Sequence, residues 1–279
     1  DSQLPAPVPG ASQGNRKASS LLWSISGIHL PGTSFLFGTM HVRDNRIFSI
    51  LPPVFPRILA CQGFAAEYHL DEQAASPLVP GRSDFNWQSL LPASKFSRIS
   101  RLLLRTTGLD IRRLTHLPPY FALGVLSGQF LKSDMPCSLD EHLWNYAREA
   151  GKELRGVETL QEQMQVLAGI PLEMQLQMLM DCCRNISRFR QHLLHLAALY
   201  EKQDTQQLYK VVKKNARGLR KVLLYQRNAV MAERIAAMAR EQTTFSAIGA
   251  AHLGGRKGVI CLLKEQGFRV QPVFAEPAM

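Results

Sequence analysis

Two histidines each stand three residues after a glycine, and each of these segments follows a short apolar run. Gly38–His41 (GTMH) comes after SFLF, and Gly249–His252 (GAAH) comes after FSAI. Residues at the carboxyl ends of strands line the binding crevice of α/β sheets, so the pattern predicts that His41 and His252 share one crevice. The glycines would let the backbone turn or let a ligand approach closely. One GxxH segment carries little information, whereas two at opposite ends of the chain indicate a site.

Glu67 ends the apolar segment GFAA and is the third candidate residue. A carboxylate in that position is costly unless it is paired or coordinates a cation. Two imidazoles and a carboxylate are suitable ligands for a divalent metal ion such as Zn²⁺, Mn²⁺ or Co²⁺, with one position left for water. The alternative is that His41 and His252 only cap strands and that Glu67 pairs with a nearby arginine. The small residues around His252 predict that its side chain contributes little to packing.

A sheet must bring these residues together, and the sequence predicts a mixed α/β (α+β) fold. The central sheet is expected to form from N- and C-terminal segments, with a large, mainly helical insertion at residues 84–240 that covers the sheet and the site. Apolar runs on both sides of Pro31-Gly32 predict a hairpin from Leu21 onwards. Further strands are predicted at Gly63–Tyr68, Glu153–Val157, FSAIGA and Phe268–Val273.

Helix positions follow from capping and from apolar periodicity. Ser138 and Glu141 have the spacing of a capping box and start a helix that runs to Gly151. Apolar residues recur at helical spacing from Leu172 to Tyr200, which predicts one long helix. Other helices are predicted at Pro53–Cys61, Gly218–Glu241 and Gly254–Gln266.

The composition fits one globular domain. The chain has 279 residues, 46% of them hydrophobic, which excludes a disordered or fibrous protein. We expect a flexible leader at residues 1–20 and a single domain at residues 21–279. No apolar run reaches the roughly 18 residues that a membrane helix needs. A chain that begins at Asp1 is typical of a mature secreted or periplasmic product or of a trimmed one, and five cysteines without a CxxC leave the redox compartment open.

The formal net charge is +11, and most of it comes from one region. Between Arg184 and Arg234 there are 12 basic and 3 acidic residues. The region has no interleaved aromatic pattern and no zinc-finger spacing, so no nucleic acid partner is expected. Its basic side chains are interpreted as solvated helix faces, with contact to a membrane surface or an acidic partner as the alternative.

The sequence also resembles the TraB/PrgY/GumN/TIKI family, whose members have two GxxH motifs flanking a helical middle. The resemblance covers about residues 21–274 and is carried by SFLFGTMHV, FAAEYHLDE, SLDEHLWNYAREAGKELRGVETLQEQ, LLYQRNAVMAERI and IGAAHLGGRKGVICLLKEQGFRV. It implies a hydrolase site, in some members that of a metal-dependent protease acting on secreted peptides or proteins. Matched position by position, the site residues would be His41, Glu67, Arg227 and His252.

Other polar residues near these motifs have less defined roles. Family members often have an aspartate directly after the glutamate, whereas here three residues separate Glu67 from Asp71, so His69 could substitute for a ligand or compete with one. Glu158, in the segment GVET, is expected to order a loop. His192 and His195 lie three apart on a predicted helix and are interpreted as ordinary helix residues.

The leading hypothesis is therefore a metal-dependent hydrolase, and specifically a peptidase, in which His41 and His252 bind a divalent ion. Glu67 would be the third ligand or the base that takes a proton from metal-bound water, and Arg227 would stabilise the oxyanion. A second hypothesis is a metal-independent hydrolase in which a histidine activates water. A third is a non-catalytic protein that sequesters a peptide or small ligand. The absence of a G-x-S-x-G segment argues against a serine α/β-hydrolase.

Overall fold

The computed structural model describes residues 19–75, 86–216 and 218–274, in which helices surround one sheet. The strands are β1 (Leu22–Ser26), β2 (Ser34–Thr39), β3 (Gly63–Tyr68), β4 (Glu153–Glu158), β5 (Thr244–Gly249) and β6 (Arg269–Pro272). The α-helices are α1 (Asn45–Phe48), α2 (Phe55–Leu59), α3 (Leu70–Ala75), α4 (Ala93–Thr107), α5 (Pro119–Gly128), α6 (Leu139–Glu149), α7 (Leu160–Ala168), α8 (Leu172–Arg184), α9 (Ile186–Glu201), α10 (Thr205–Asn215), α11 (Arg227–Glu241) and α12 (Val259–Glu265). Short 3-10 turns lie at Trp87–Leu90, Ile111–Leu114 and Ala250–His252.

The six strands are ordered β4-β3-β5-β2-β1-β6. Strands β4, β3, β5 and β2 run parallel, and β1 is antiparallel to its neighbours β2 and β6. The pairing of β2 with β5 joins the two ends of the chain and places Thr39 opposite Gly249. The predicted mixed α/β fold, with a sheet built from N- and C-terminal segments and a helical middle, is confirmed.

The central strands are apolar because both of their faces are covered. In β5 the first five residues are buried, and in β3 the first four are. Such continuous burial is typical of parallel strands that lie between helices. Phe64 and Phe245 stack across neighbouring strands with ring centroids 5.7 Å apart, and Phe37 lies 6.3 Å from Phe245. Charged residues of β3 lie only where this continuous burial ends, at Glu67, on the edge that carries the candidate site.

The apolar pattern between Leu172 and Tyr200 belongs to two helices, α8 and α9, and the prediction of one long helix is wrong. Asn185 separates them with φ −137° and ψ 64°. Its side chain accepts a hydrogen bond from the Arg188 N–H at 3.2 Å and so caps α9. The pattern continues across the break because both helices bury apolar residues. Between residues 160 and 240 the described residues include no strand, in agreement with the predicted helical cover.

The segment predicted as a helix at Gly218–Glu241 contains two kinds of helix. Residues Lys221–Gln226 are π-helical, and α11 begins directly afterwards at Arg227. Turns of π-helix often occur at functional sites, because they change which side chains face a cleft. Arg227, one of the candidate site residues, therefore stands at the junction of the two helix types.

Buried apolar residues form two clusters. The larger one lies on the sheet and includes Phe64, Trp144 and Phe245. The smaller one lies among α4, α5 and α8 and includes Trp87 and Leu179. Helix α9 contributes to both clusters, so it connects the helical cover to the sheet.

Several further expectations concern the chain outside the sheet. Most of the leader, residues 1–18, and the start of the helical cover at residues 84 and 85 lie outside the described residues. Ser20, which was included in the leader, is fully buried, and its hydroxyl donates to the Val273 carbonyl at 2.9 Å. All five cysteines are free thiols. In the three described ranges, no helix is long and apolar enough to cross a membrane.

Candidate functional site

The four parallel strands end at one edge of the sheet, and the polar residues that follow them gather there. Thr39 ends β2, Glu158 ends β4, and Glu67 is the last residue but one of β3. His252 follows β5 at the end of a 3-10 turn, and His41 follows β2. The edge faces α7 and α11, which supply further polar side chains.

An arginine links two of the strand-end carboxylates. The Arg227 Nη2 atom lies 2.5 Å from Glu67 Oε1 and 2.6 Å from Glu158 Oε2, and its Nε also donates to Glu158 at 3.1 Å. The Gln163 amide donates to Glu67 at 3.0 Å and to Glu158 at 3.2 Å. The alternative derived from spacing, a Glu67–arginine pair, therefore exists in the structure. Glu158, which is 5% exposed, belongs to this network, and the expectation that it has an ordering rather than a reactive role stays a prediction.

Glu67 stays ionised because its partners outweigh its burial. Burial raises the pKa of Glu67, but His252, Arg227 and the Gly249 N–H lower it, and the net pKa lies below its ordinary value. The Gly249 N–H donates to Glu67 Oε2 at 2.8 Å. Glu67 is thus a carboxylate with one oxygen bound by Arg227 and Gln163 and the other directed towards Gly249.

His252 is buried and neutral. Its side chain is 6% exposed, in contrast to the expectation that it contributes little to packing. Burial lowers the pKa of His252 to about 4; this effect outweighs the attraction of Glu67, which raises the pKa, and Arg227 lowers it slightly further. The His252 Nδ1 atom lies 2.6 Å from the Asn228 side-chain oxygen. The ring is therefore held from the side of α11, and its Nε2 makes no hydrogen bond to any residue that the structure describes.

His41 lies at the solvent-exposed side of the same edge, with a side chain that is 66% exposed. Its Nδ1 is 3.3 Å from Asp140 Oδ2, and Asp140 Oδ1 accepts a hydrogen bond from the Thr39 hydroxyl at 2.6 Å. Interaction with Asp140 raises the pKa of His41 in spite of desolvation. In both histidines, then, Nδ1 faces a side-chain oxygen, and within residues 19–75, 86–216 and 218–274 Nε2 has no hydrogen-bond partner.

The two motif glycines have different functions. A Cβ atom on Gly38 would lie 2.6 Å from Leu253 and 3.0 Å from the Ala250 backbone, so Gly38 lets β2 pack against the turn that holds the second motif. A Cβ atom on Gly249 would lie 3.1 Å from Glu67 Oε2 and 3.4 Å from the His252 ring. Gly249 therefore keeps the space between these two functional side chains open.

Some residues of the network have no counterpart among the sequence predictions. Gln163, Asn228 and Asp140 all contact a candidate residue. Each lies on a helix rather than at a strand end, so the GxxH pattern gave no signal for them. Gln163 had one available signal, since Thr159 and Glu162 form a second capping box that places α7 over the strand ends.

Two predicted candidates lie apart from the network. His69 packs edge-on against Trp144, and its Nδ1 has no hydrogen-bond partner among the described residues. The His192 Nε2 atom lies 2.6 Å from the Asn215 side-chain nitrogen, within the helical cover. In the described structure neither histidine forms a hydrogen bond or an ion pair with Glu67, Arg227 or His252.

The donor types at this edge fit a divalent metal ion, although they do not converge. An imidazole whose Nδ1 is held by an oxygen and whose Nε2 is free is the usual arrangement of a histidine ligand. A Cβ atom on Gly249 would crowd Glu67 Oε2 at 3.1 Å and the His252 ring at 3.4 Å, so the missing side chain leaves these two groups facing the same small space. However, the described part of the chain has no group of three His, Cys, Asp or Glu side chains close enough to hold a metal. The ligand set His41, Glu67 and His252 thus stays a prediction.

Comparison with known proteins agrees with the arrangement of these motifs. The sequence pattern of the TraB/PrgY/gumN family matches residues 21–272. The metalloprotease TIKI2 of Danio rerio is 22% identical over 325 residues, which cover 91% of this chain and 61% of that protein. The chain thus spans about three fifths of the length of this relative. No solved structure matches the chain.

Proposed function

The chain belongs to the TraB/PrgY/gumN family, and from that premise we propose that it is a metal-dependent hydrolase that cleaves peptides at the edge of the sheet. The observation that carries the proposal is the position of His252. Its Nδ1 is occupied by Asn228, its pKa of about 4 keeps it neutral at pH 7, and its free Nε2 lies on the side of Gly249 where Glu67 Oε2 also lies. A neutral imidazole beside a carboxylate is suited to metal binding or to activation of water.

His252, Glu67 and His41 would hold the metal. When bound, a divalent ion would polarise the scissile carbonyl and lower the pKa of a bound water to about 7. Glu67 would serve as a ligand or as the base for that water, because it is ionised and its Oε2 atom, which accepts a hydrogen bond from the Gly249 N–H, lies on the side of His252.

Arg227 would contribute a fixed positive charge. Its Nε and Nη2 groups are engaged by Glu158 and Glu67, whereas its Nη1 makes no hydrogen bond within the described residues. Those remaining N–H groups are available for an oxyanion that forms on the substrate. Glu158 and Glu67 would keep the guanidinium in place, and Gln163 would hold these two carboxylates, which limits the reorganisation needed during the reaction.

The substrate is proposed to be a peptide, in line with the name of the Danio rerio relative. A cavity of about 340 Å³ adjoins Arg227 and is lined by Val166, Val230 and Gln226 among others. It offers room for an uncharged side chain, because the acidic residues that line it, Glu158 and Glu162, are both paired with arginines. We further propose an extracytoplasmic location, where such substrates occur.

The experiment that tests the proposal measures hydrolysis of a peptide library with and without added Mn²⁺, Zn²⁺ or Co²⁺. The original protein should gain activity with metal, and His252→Ala should reduce activity to background. His195→Ala is the matched control, since His195 is an exposed residue of α9 away from the site, and it should retain full activity. Equal activity of His252→Ala and the original protein would refute the proposal. Peptide binding without turnover would favour a sequestering protein.

A metal-independent hydrolase is the second candidate, and one observation favours it. Arg227 and Gln163 already donate hydrogen bonds to one oxygen of Glu67, so the protein itself balances the negative charge of this carboxylate without a metal ion. In that case His252, with its bare Nε2, would take the proton from water directly. Full activity after chelator treatment, in protein with less than stoichiometric metal by elemental analysis, would establish this second candidate.

A further inference from the structure

Asn228 lies behind the site and forms a hydrogen bond through each end of its side chain. It is fully buried, at 0% exposure. Its Nδ2 donates to the Lys257 carbonyl at 2.7 Å, and its Oδ1 lies 2.6 Å from His252 Nδ1. Because a backbone carbonyl only accepts, the amide nitrogen must face Lys257 and the amide oxygen must face His252.

This orientation determines where the proton of His252 resides. An amide oxygen only accepts, so Nδ1 must carry the hydrogen, and in a neutral imidazole the other nitrogen, Nε2, is then bare. At 6% exposure the ring has little contact with bulk water that could favour the opposite tautomer. The bare Nε2 lies 4.0 Å from the position of a Cβ atom on Gly249, and Glu67 Oε2 lies 3.1 Å from the same position.

We propose that Asn228 is a positioning residue that holds His252 in the Nδ1–H tautomer and keeps the Nε2 lone pair on the Glu67 side of the crevice. The inference rests on the proposed function for its purpose, since a metal ligand or a base must present an unprotonated nitrogen. Arg227 and Asn228 are the first two residues of α11. Successive positions on a helix point about 100° apart, so one turn of α11 orients Glu67 through Arg227 and His252 through Asn228.

Nuclear magnetic resonance of chelator-treated protein, labelled with ¹⁵N at histidine, tests the proposal. Long-range ¹H–¹⁵N correlations separate the two neutral tautomers, and the His252 signals are assigned by their loss in His252→Ala. At pH 7 the original protein should show a protonated Nδ1 and a bare Nε2. A protonated Nε2 in the original protein overturns the inference, whatever the behaviour of any variant.

Three variants separate positioning from general packing. Asn228→Leu has similar size but no acceptor, and it should shift His252 towards the Nε2–H tautomer. Asn228→Asp loses the donor to the Lys257 carbonyl but keeps an acceptor oxygen towards His252, so Nδ1 should stay protonated. Gln163→Leu, the matched control, removes a hydrogen bond to Glu67 and none to His252, so the tautomer should stay unchanged. The same tautomer in Asn228→Leu as in the original protein overturns the inference.

Mn²⁺ binding, measured by calorimetry on the same samples, provides the functional readout. Asn228→Leu should weaken the affinity for Mn²⁺ about 10- to 100-fold, which is typical for loss of a residue that orients a ligand, and Asn228→Asp should stay within a few-fold. The original protein could show the Nδ1–H tautomer and yet neither bind Mn²⁺ nor hydrolyse peptides. That result would support the positioning role of Asn228 and overturn the proposed function. Failure of one is therefore distinguishable from failure of the other.

Discussion

The burial of His252 makes the stability of the metal-free protein depend on pH. The folded-state pKa is about 4, against 6.5 for an ordinary histidine. Between these values the unfolded chain binds a proton that the folded protein does not bind, so the free energy of unfolding should fall as the pH falls from 6.5 to 4. The expected loss is about 3 kcal/mol, because each pKa unit corresponds to about 1.4 kcal/mol.

Urea unfolding at several pH values, with chelator present, measures this dependence. His252→Gln should lack this part of the slope, whereas His195→Ala should retain it. Carboxylates with lowered pKa values, such as Glu67, also lose stabilising charge in acid, but they do so below about pH 4.5. Identical slopes for His252→Gln and the original protein between pH 6.5 and 5 would contradict the burial of a neutral His252.

The two motif glycines give a matched pair of substitutions at the same position of each motif. Gly38→Ala should destabilise the fold by about 1–3 kcal/mol, because the new methyl group would be forced against Ala250 in the core. Gly249→Ala should change the free energy of unfolding less but reduce hydrolysis strongly, because its methyl group would enter the space between Glu67 and His252. Thermal unfolding and peptide turnover measure both effects, and a reversed ranking would show that the site does not use this space.

At the scale of single elements, the start of α6 controls His41. Ser138 accepts a hydrogen bond from the Glu141 N–H at 3.3 Å, and Glu141 accepts one from the Ser138 N–H at 2.8 Å. This capping box fixes the first turn, which carries Asp140 towards His41. Ser138→Ala should therefore cost about 1 kcal/mol of stability and also reduce hydrolysis.

Asn185→Ala is the control for that substitution. It removes the N-terminal cap of α9, which lies in the helical cover, and should cost a similar free energy of unfolding. Its rate of hydrolysis should match that of the original protein at a temperature at which all three proteins are folded. An equal loss of activity in both variants would mean that Ser138 acts only through general stability.

The elements that sequence reasoning located correctly have local signals. The capping box at Ser138 and the apolar run of β3 depend on neighbouring residues, and both were predictable. The helix break at Asn185 was not predictable, because the helical spacing of apolar residues continues past this asparagine. Only its backbone conformation, φ −137° and ψ 64°, ends α8. The π-helical segment before Arg227 has no local signal that distinguishes it from an α-helix.

At the scale of the whole molecule, the candidate site was only partly predictable. Parallel strands must end at a common edge, so Glu67 and the two GxxH segments could be placed together from the sequence. The contacts of Asp140 and Asn228 depend on how α6 and α11 pack against that edge. Such contacts between distant segments follow from tertiary packing, which no pattern within a single element encodes.

The two hydrophobic clusters should unfold as one unit, because α9 packs into both of them. Trp87 reports on the helical cover, and Trp144 reports on the sheet. Proteins that keep only one of these tryptophans, with the others replaced by Phe, should show coincident urea transitions by fluorescence. Leu179→Ala, in the smaller cluster, should lower both midpoints together and cost about 2–5 kcal/mol, because Leu179 is fully buried. An earlier transition at Trp87 alone would show instead that the cover opens independently of the sheet, and peptide access to Glu67 and His252 would then depend on that opening.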